Sequence, residues 1–220
     1  MGLTTADRDA VIATAHALAD AARVETLRHL RTAGLSAETK DTDRFDPVTV
    51  ADRASEQAMR AILAARRPDD AILGEEFGAT PGTSGLTWVL DPIDGTRGYL
   101  SGTPTWGVLI AVSDDSGPIF GIIDQPYIKE RFSGGFGVAE CVGPMGRSKL
   151  KARPARPLSE AILFSTFPEV GTAEEGAAFR RLVPKVKLTR YGTDCYAFAL
   201  SAAGQSDLVG EAGLQAYDVQ

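Results

Sequence analysis

Trp88-Val89-Leu90-Asp91-Pro92-Ile93-Asp94-Gly95-Thr96 runs from strand-forming residues into two carboxylates, a glycine and a hydroxyl. Val, Leu and Trp favour a buried strand, and Asp-Pro is expected to stop it at Asp91 in a tight turn. Pro92 fixes its own φ and holds Asp91 extended, so Asp91 points off the strand end. Two acids three residues apart on a rigid turn are hard oxygen ligands of the type Mg²⁺ prefers. Gly95 allows close approach to the backbone, and its N–H and that of Thr96 can face an anion. The plainer reading, a Pro-containing turn with Asp as turn former, stays open on this stretch alone.

Composition narrows the partners. The 220 residues carry a formal net charge of −6 and 44% hydrophobic residues, an ordinary globular balance. No long basic run is present, which argues against nucleic acid or an anionic membrane. A phosphorylated small metabolite is still allowed, because bound cations reverse the local field. Cys141 and Cys195 form no metal-spaced pair and suit a reducing, cytoplasmic setting. No apolar run approaches a membrane span, and the N-terminus lacks a signal pattern. His16 and His29 lack the i,i+4 spacing of zinc ligands and read as ordinary helix residues.

Before the central stretch, Thr4 or Thr5 caps a helix expected to reach about Ala33, with Gly34 as its stop. Thr49 with Asp52 reads as a capping box opening a helix to about Arg67. Ile72-Leu73-Gly74 is a short strand ending at Glu75-Glu76. After the stretch, residues 97–102 read as a turn. Trp106 to Val142 reads as antiparallel strands, with a hairpin at Asp114-Asp115-Ser116-Gly117. Gly143 to Pro157 reads as the passage between two parts, residues 1–145 and 146–220. The first is α+β, with N-terminal helices on an antiparallel sheet; the second is a smaller α/β half.

Asp52, Glu75, Asp91, Asp94 and Asp218 all fall at expected strand ends or caps. Without nearby His or Cys they suit two or three Mg²⁺ ions. Such a cluster supports in-line phosphoryl transfer to water, with Thr96 placing the water. No Walker loop or kinase glycine loop is present, so hydrolysis is favoured over nucleotide-driven transfer.

Asp46-Pro47-Val48-Thr49-Val50-Ala51-Asp52, Gly74-Glu75-Glu76, Asp91-Pro92-Ile93-Asp94-Gly95-Thr96 and the segment from Asp207 through Glu211 to Tyr217-Asp218 resemble the motif series of the inositol monophosphatase family. The resemblance implies a layered alternating sandwich and Mg²⁺-dependent hydrolysis of a phosphomonoester, in a protein that commonly forms homodimers. It implies metal ligation by Glu75, Asp91, the Ile93 carbonyl, Asp94 and Asp218. It further implies that Glu75 and Thr96 hold the attacking water, that Asp52 bonds Thr96, and that the Gly95 and Thr96 amides take the phosphate. Glu76 is expected behind the ligands rather than among them, and Lys40 receives no assigned role because the loop from Asp41 to Asp46 is longer than usual. Relatives continue past the closing motif, so a frayed segment and a weakened metal site are expected around Asp218.

The stretch from Thr96 to Gly107 and Asp124-Gln125-Pro126-Tyr127 most resemble the histidinol-phosphate phosphatase branch. Arg190, Gly192, Thr193 and Asp194 precede the closing motif and are expected at the substrate. Asp194 and Glu211 would suit a cationic leaving alcohol such as histidinol; as a bland alternative, Asp194 caps the following helix. Hydrolysis of inositol 1-phosphate is the rival reading. Hydrolysis of 3′-phosphoadenosine-5′-phosphate fits the stretch after Thr96 poorly. A non-catalytic regulator is the alternative of another class, and the full carboxylate set argues against it.

Overall fold

The computed structural model describes residues 3–33, 35–39 and 47–220. Gly34, Lys40 and Asp46 lie outside the described residues. Helix α1 (Thr5–His29) begins where Thr4 Oγ1 accepts the Asp7 amide at 3.2 Å and Asp7 Oδ2 accepts the Thr4 amide at 3.1 Å. It ends before Ala33 because a distant loop captures the chain. Arg31 adopts a left-handed backbone (φ 58°) and donates to the Gly102 carbonyl and to Tyr127 Oη, both at 2.7 Å. After it, β1 (Glu38–Thr39) pairs antiparallel with β2 (Pro47–Val48). Helix α2 (Val50–Arg66) then starts from the expected Thr49 and Asp52 capping box. Val11, Ala15, Leu18 and Ala22 repeat at helical spacing on the buried face of α1. Ala15 and Ala22 leave room for α1 to pack closely on α2, with Met59 and Leu63 in the same core.

Both helices cover one face of a mixed sheet. Its strands are β3 (Ala71–Gly74), β4 (Gly78–Thr80), β5 (Thr87–Asp94), β6 (Gly107–Asp114), β7 (Gly117–Gln125), β8 (Glu130–Gly135), β9 (Val138–Gly143) and β10 (Gly146–Lys149). Among the described residues they lie in the order β10-β9-β8-β7-β6-β5-β3-β4. Strand β5 supplies the fully buried Trp88 and Leu90. Burial of each such side chain contributes roughly 1.5–3 kcal/mol. β5 is therefore firmly placed, and the acids at its end inherit that placement. Trp88 Nε1 also donates to the buried Asp70 carboxylate at 2.8 Å, which Arg67 neutralises.

Four features of this part depart from the sequence reading. The sheet is not wholly antiparallel: β4 hairpins back along the outer edge of β3, so the chain crosses over and enters β5 parallel to β3. β5 does not stop at Asp91 but continues to Asp94 across a bulge. Strand β10 pairs with β9, carrying the sheet through Lys149 and past the expected division at 145/146. The segment 97–102, read as a turn, belongs mostly to a one-turn helix α3 (Thr96–Leu100).

The C-terminal part holds a parallel sheet in the order β12 (Leu188–Tyr191), β11 (Ile162–Ser165), β13 (Leu208–Val209). Helices α4 (Ala173–Leu182) and α5 (Tyr196–Ala202) lie between its strands in sequence. The frayed segment expected around Asp218 is instead helix α6 (Ala216–Val219), which contacts β5 and β6. Asp218 Oδ2 accepts the Gln215 amide at 2.6 Å, capping that turn. Among the described residues no helix is long and apolar enough to cross a membrane.

Candidate active site

Parallel pairing of β3 with β5 sets Gly74 opposite Leu90, and the Glu75 amide donates to the Leu90 carbonyl at 3.1 Å. Glu75 and Asp91 therefore leave the sheet at the same edge. In a regular strand, residues three apart point to opposite faces. Between Asp91 and Asp94 the register slips by one residue: Asp91 pairs with Leu109 and Asp94 with Gly107. That bulge re-aims the second acid. One carboxylate oxygen each of Asp91, Asp94 and Asp218 then lie within 4.8 Å of one another.

Each acid is held. Asp91 is buried, and its Oδ1 accepts the Ile93 amide at 3.0 Å. Asp94 Oδ2 accepts the Cys195 amide at 2.6 Å, tying the cluster to the start of α5. Burial, then the charges of Glu75 and Asp94, push the Asp91 carboxyl well above its usual range. Desolvation and the Asp194 charge push Asp94 up to about 7, against the opposing Cys195 hydrogen bond. An oxygen-only donor set that resists its own ionisation is what a hard divalent cation relieves.

Thr96 Oγ1 donates toward either the Ile93 carbonyl, 3.1 Å away, or Asp52 Oδ1, 3.5 Å away. Asp52 therefore both caps α2 and reaches Thr96; its other oxygen accepts from the Thr49 amide at 2.8 Å and from Thr49 Oγ1 at 2.5 Å. Burial raises its pKa to about 6 in spite of those hydrogen bonds. Gly95 has φ +85°, and a Cβ there would lie 2.7 Å from Asp194 Cγ, so two separate constraints call for glycine.

Glu75, Asp91, Asp94, Gly95, Thr96 and Asp218 line a cavity of about 520 Å³ with Arg97, Phe167, Asp194, Glu211 and Tyr217, while Asp52 stands behind Thr96. Asp194 sits over Gly95 in left-handed backbone (φ 42°), with no side-chain cap on α5. Burial pushes it up to about 6, while Arg97 pulls the other way. Glu211 uses one oxygen on the Thr166 amide at 2.6 Å and Thr166 Oγ1 at 3.0 Å. Burial raises its pKa as well, against those Thr166 bonds.

Arg190, Gly192 and Thr193 do not line this cavity. Arg190 is exposed on β12 opposite Phe164. Gly192 O accepts Thr105 Oγ1 at 2.9 Å, and Thr193 Oγ1 is buried outside the cavity. Phe167 carried no sequence signal, and Arg97 stood in the central motif without a role. The Arg97 guanidinium lies 5.3 Å from the Phe167 ring centroid, forming one wall of the cavity.

A sheet edge carrying clustered carboxylates beside a hydroxyl is a donor set suited to a hard cation, and it opens into a polar cavity. The chain belongs to the inositol monophosphatase family, whose family model matches residues 7–220. It is 39% identical over 218 residues to the chloroplastic bifunctional phosphatase IMPL2 of Arabidopsis thaliana, covering 98% of this chain and 61% of that protein. It is 35% identical over 216 residues to the histidinol-phosphatase of Streptomyces coelicolor, covering 93% and 79%. It also superposes on an inositol monophosphatase from Zymomonas mobilis with TM-score 0.82 and 37% identity, covering 99% and 81%. The chain thus spans less than two thirds of the Arabidopsis relative's length.

Proposed function

We propose that this chain is a Mg²⁺-dependent phosphomonoesterase that hydrolyses L-histidinol phosphate to L-histidinol and phosphate, in histidine synthesis in the cytoplasm. The observation that carries the reading is the bulge-assembled cluster of Asp91, Asp94 and Asp218 beside Thr96. Six carboxylates line the cavity: those of Glu75, Asp91, Asp94, Asp194, Glu211 and Asp218. A phosphate dianion would be repelled there without cations to balance the charge. The donor set fits Mg²⁺, with Glu75, Asp91, Asp94, Asp218 and the Ile93 carbonyl as the proposed ligands. When bound, Mg²⁺ supplies the positive charge that polarises a water and the ester oxygens.

The chain's own groups do the rest. Thr96 Oγ1, donating to Asp52, presents a lone pair to one proton of the attacking water, and Glu75 orients that water from the other side. The Gly95 and Thr96 amides receive the phosphoryl oxygens. Thr96→Val is expected to lower kcat about 100-fold with little change in KM, read by phosphate release at saturating Mg²⁺. The wild-type rate should fall as pH drops through about 6, where Asp52 takes up a proton. Asp52→Asn should flatten that limb at a reduced rate.

The leaving alcohol is read from Asp194 and Glu211. Their carboxylates would pair with the ammonium and imidazole of histidinol. The likeness to the Streptomyces histidinol-phosphatase supports that choice, and the likeness to the Zymomonas inositol monophosphatase supports an inositol monophosphate as the second reading. Phosphate release from the two substrates, each with Mg²⁺, separates them. Asp194→Ala is expected to cut kcat/KM for histidinol phosphate about 10-fold while sparing inositol 1-phosphate. Equal losses on both would assign Asp194 a structural role. Wild-type preference for inositol phosphate would overturn the substrate, and no turnover together with no Mg²⁺ binding would favour a regulator.

A further inference from the structure

Glu56 stands one helical turn after Asp52, on the same buried face of α2. A glutamate in an amphipathic helix ordinarily faces water; this one has no exposed surface. Its Oε2 accepts the Glu76 amide at 2.7 Å, and its Oε1 accepts the Phe77 amide at 3.3 Å and Arg60 Nε at 2.7 Å. Arg60 continues across the turn to the Gly78 carbonyl at 2.5 Å and Thr80 Oγ1 at 2.9 Å. The residue above the carboxylate is Gly74, where a Cβ would collide with Glu56 Oε1. Glu75 is thus clamped on both sides, by Leu90 through its own amide and by Glu56 through the next two.

We propose that Glu56 is a positioning residue for the cation and water site, aiming Glu75 by holding the backbone of the β3–β4 turn. The proposal rests on the phosphatase reading above. α2 then serves both sides of the water site from one face: Asp52 orients Thr96, and Glu56, four residues on, orients Glu75. A carboxylate is required because both of its oxygens accept. In glutamine, one oxygen becomes an NH₂ group facing an N–H donor.

Glu56→Gln is compared with Asp70→Asn, which breaks a buried charge pair beneath Trp88 and away from the cavity. The readouts are Mn²⁺ affinity by electron paramagnetic resonance and melting temperature in a chelator. Both variants should melt earlier than wild type. Only Glu56→Gln should weaken Mn²⁺ binding, by about 10–100-fold, as loss of a partner behind a ligand does. If Glu56→Gln does not fold, Arg60→Lys carries the same comparison, with a weaker loss in the same direction. Folded Glu56 or Arg60 variants that bind Mn²⁺ like wild type, or Asp70→Asn losing as much affinity, would overturn the proposal. Wild-type protein that binds no Mn²⁺ would instead overturn the phosphatase reading, and the positioning role with it.

Discussion

Asp91→Asn is expected to lower phosphate release by at least about 1,000-fold while making the metal-free protein more heat-stable. The two effects have one cause. Asp91 is buried at the bulge of β5, where Glu75, Asp94 and Asp218 all oppose its charge. In the proposed reaction that charge is a cation ligand, and losing it removes several kcal/mol of transition-state stabilisation. Without cations, nothing offsets the cost of ionising this buried group beside its acidic neighbours. Asparagine keeps an oxygen for the Ile93 amide and sheds the repulsion. The melting temperature in chelator at pH 8 should rise by about 3 °C or more. Calorimetry with and without chelator reads the second effect, and a phosphate-release assay the first. A variant that melts earlier in chelator would show that Asp91 is not repelled by its neighbours.

Removing metal should also invert the pH dependence of stability. Asp94 is raised from 3.8 to about 7, and Asp52 and Asp194 from 3.8 to about 6. Between the unfolded and folded pKa values, the folded state holds protons that the unfolded chain has lost. Stability from these groups is therefore full below about pH 4, declines as pH rises, and levels off above about 7. In chelator, the melting temperature is expected to fall by roughly 5–10 °C between pH 5 and pH 8. Excess Mg²⁺ should remove most of that fall, because cation binding favours the deprotonated carboxylates at the upper end of the range. A metal-free melting temperature that climbs from pH 5 to pH 8 would contradict this arrangement of acids.

The local signals were legible because their causes are local. Thr4 with Asp7 and Thr49 with Asp52 form caps within three residues of each other, so helix starts can be read directly. The buried run from Trp88 to Leu90 and the hairpin at Asp114 to Gly117 likewise need only their neighbours. Where α1 ends was not legible, since Gly102 and Tyr127, far along the chain, draw Arg31 out of the helix. The position of Arg190 outside the cavity was not legible either: closeness to Asp194 in sequence says nothing about which way β12 faces.

By itself, the sequence determined which acids are available and the chemistry they suit, because ligand hardness belongs to the side chain. It also marked the β5 segment as the place where they gather. Only the tertiary structure brought them to one point. The parallel pairing of β3 with β5 sends Glu75 and Asp91 off the same edge, and the bulge at Asp91 to Asp94 turns two acids three apart toward one side. Docking of α6 then adds Asp218 from the far end of the chain. Pairing direction, register and docking are relations between segments, fixed by which buried surfaces meet, and no single segment encodes them.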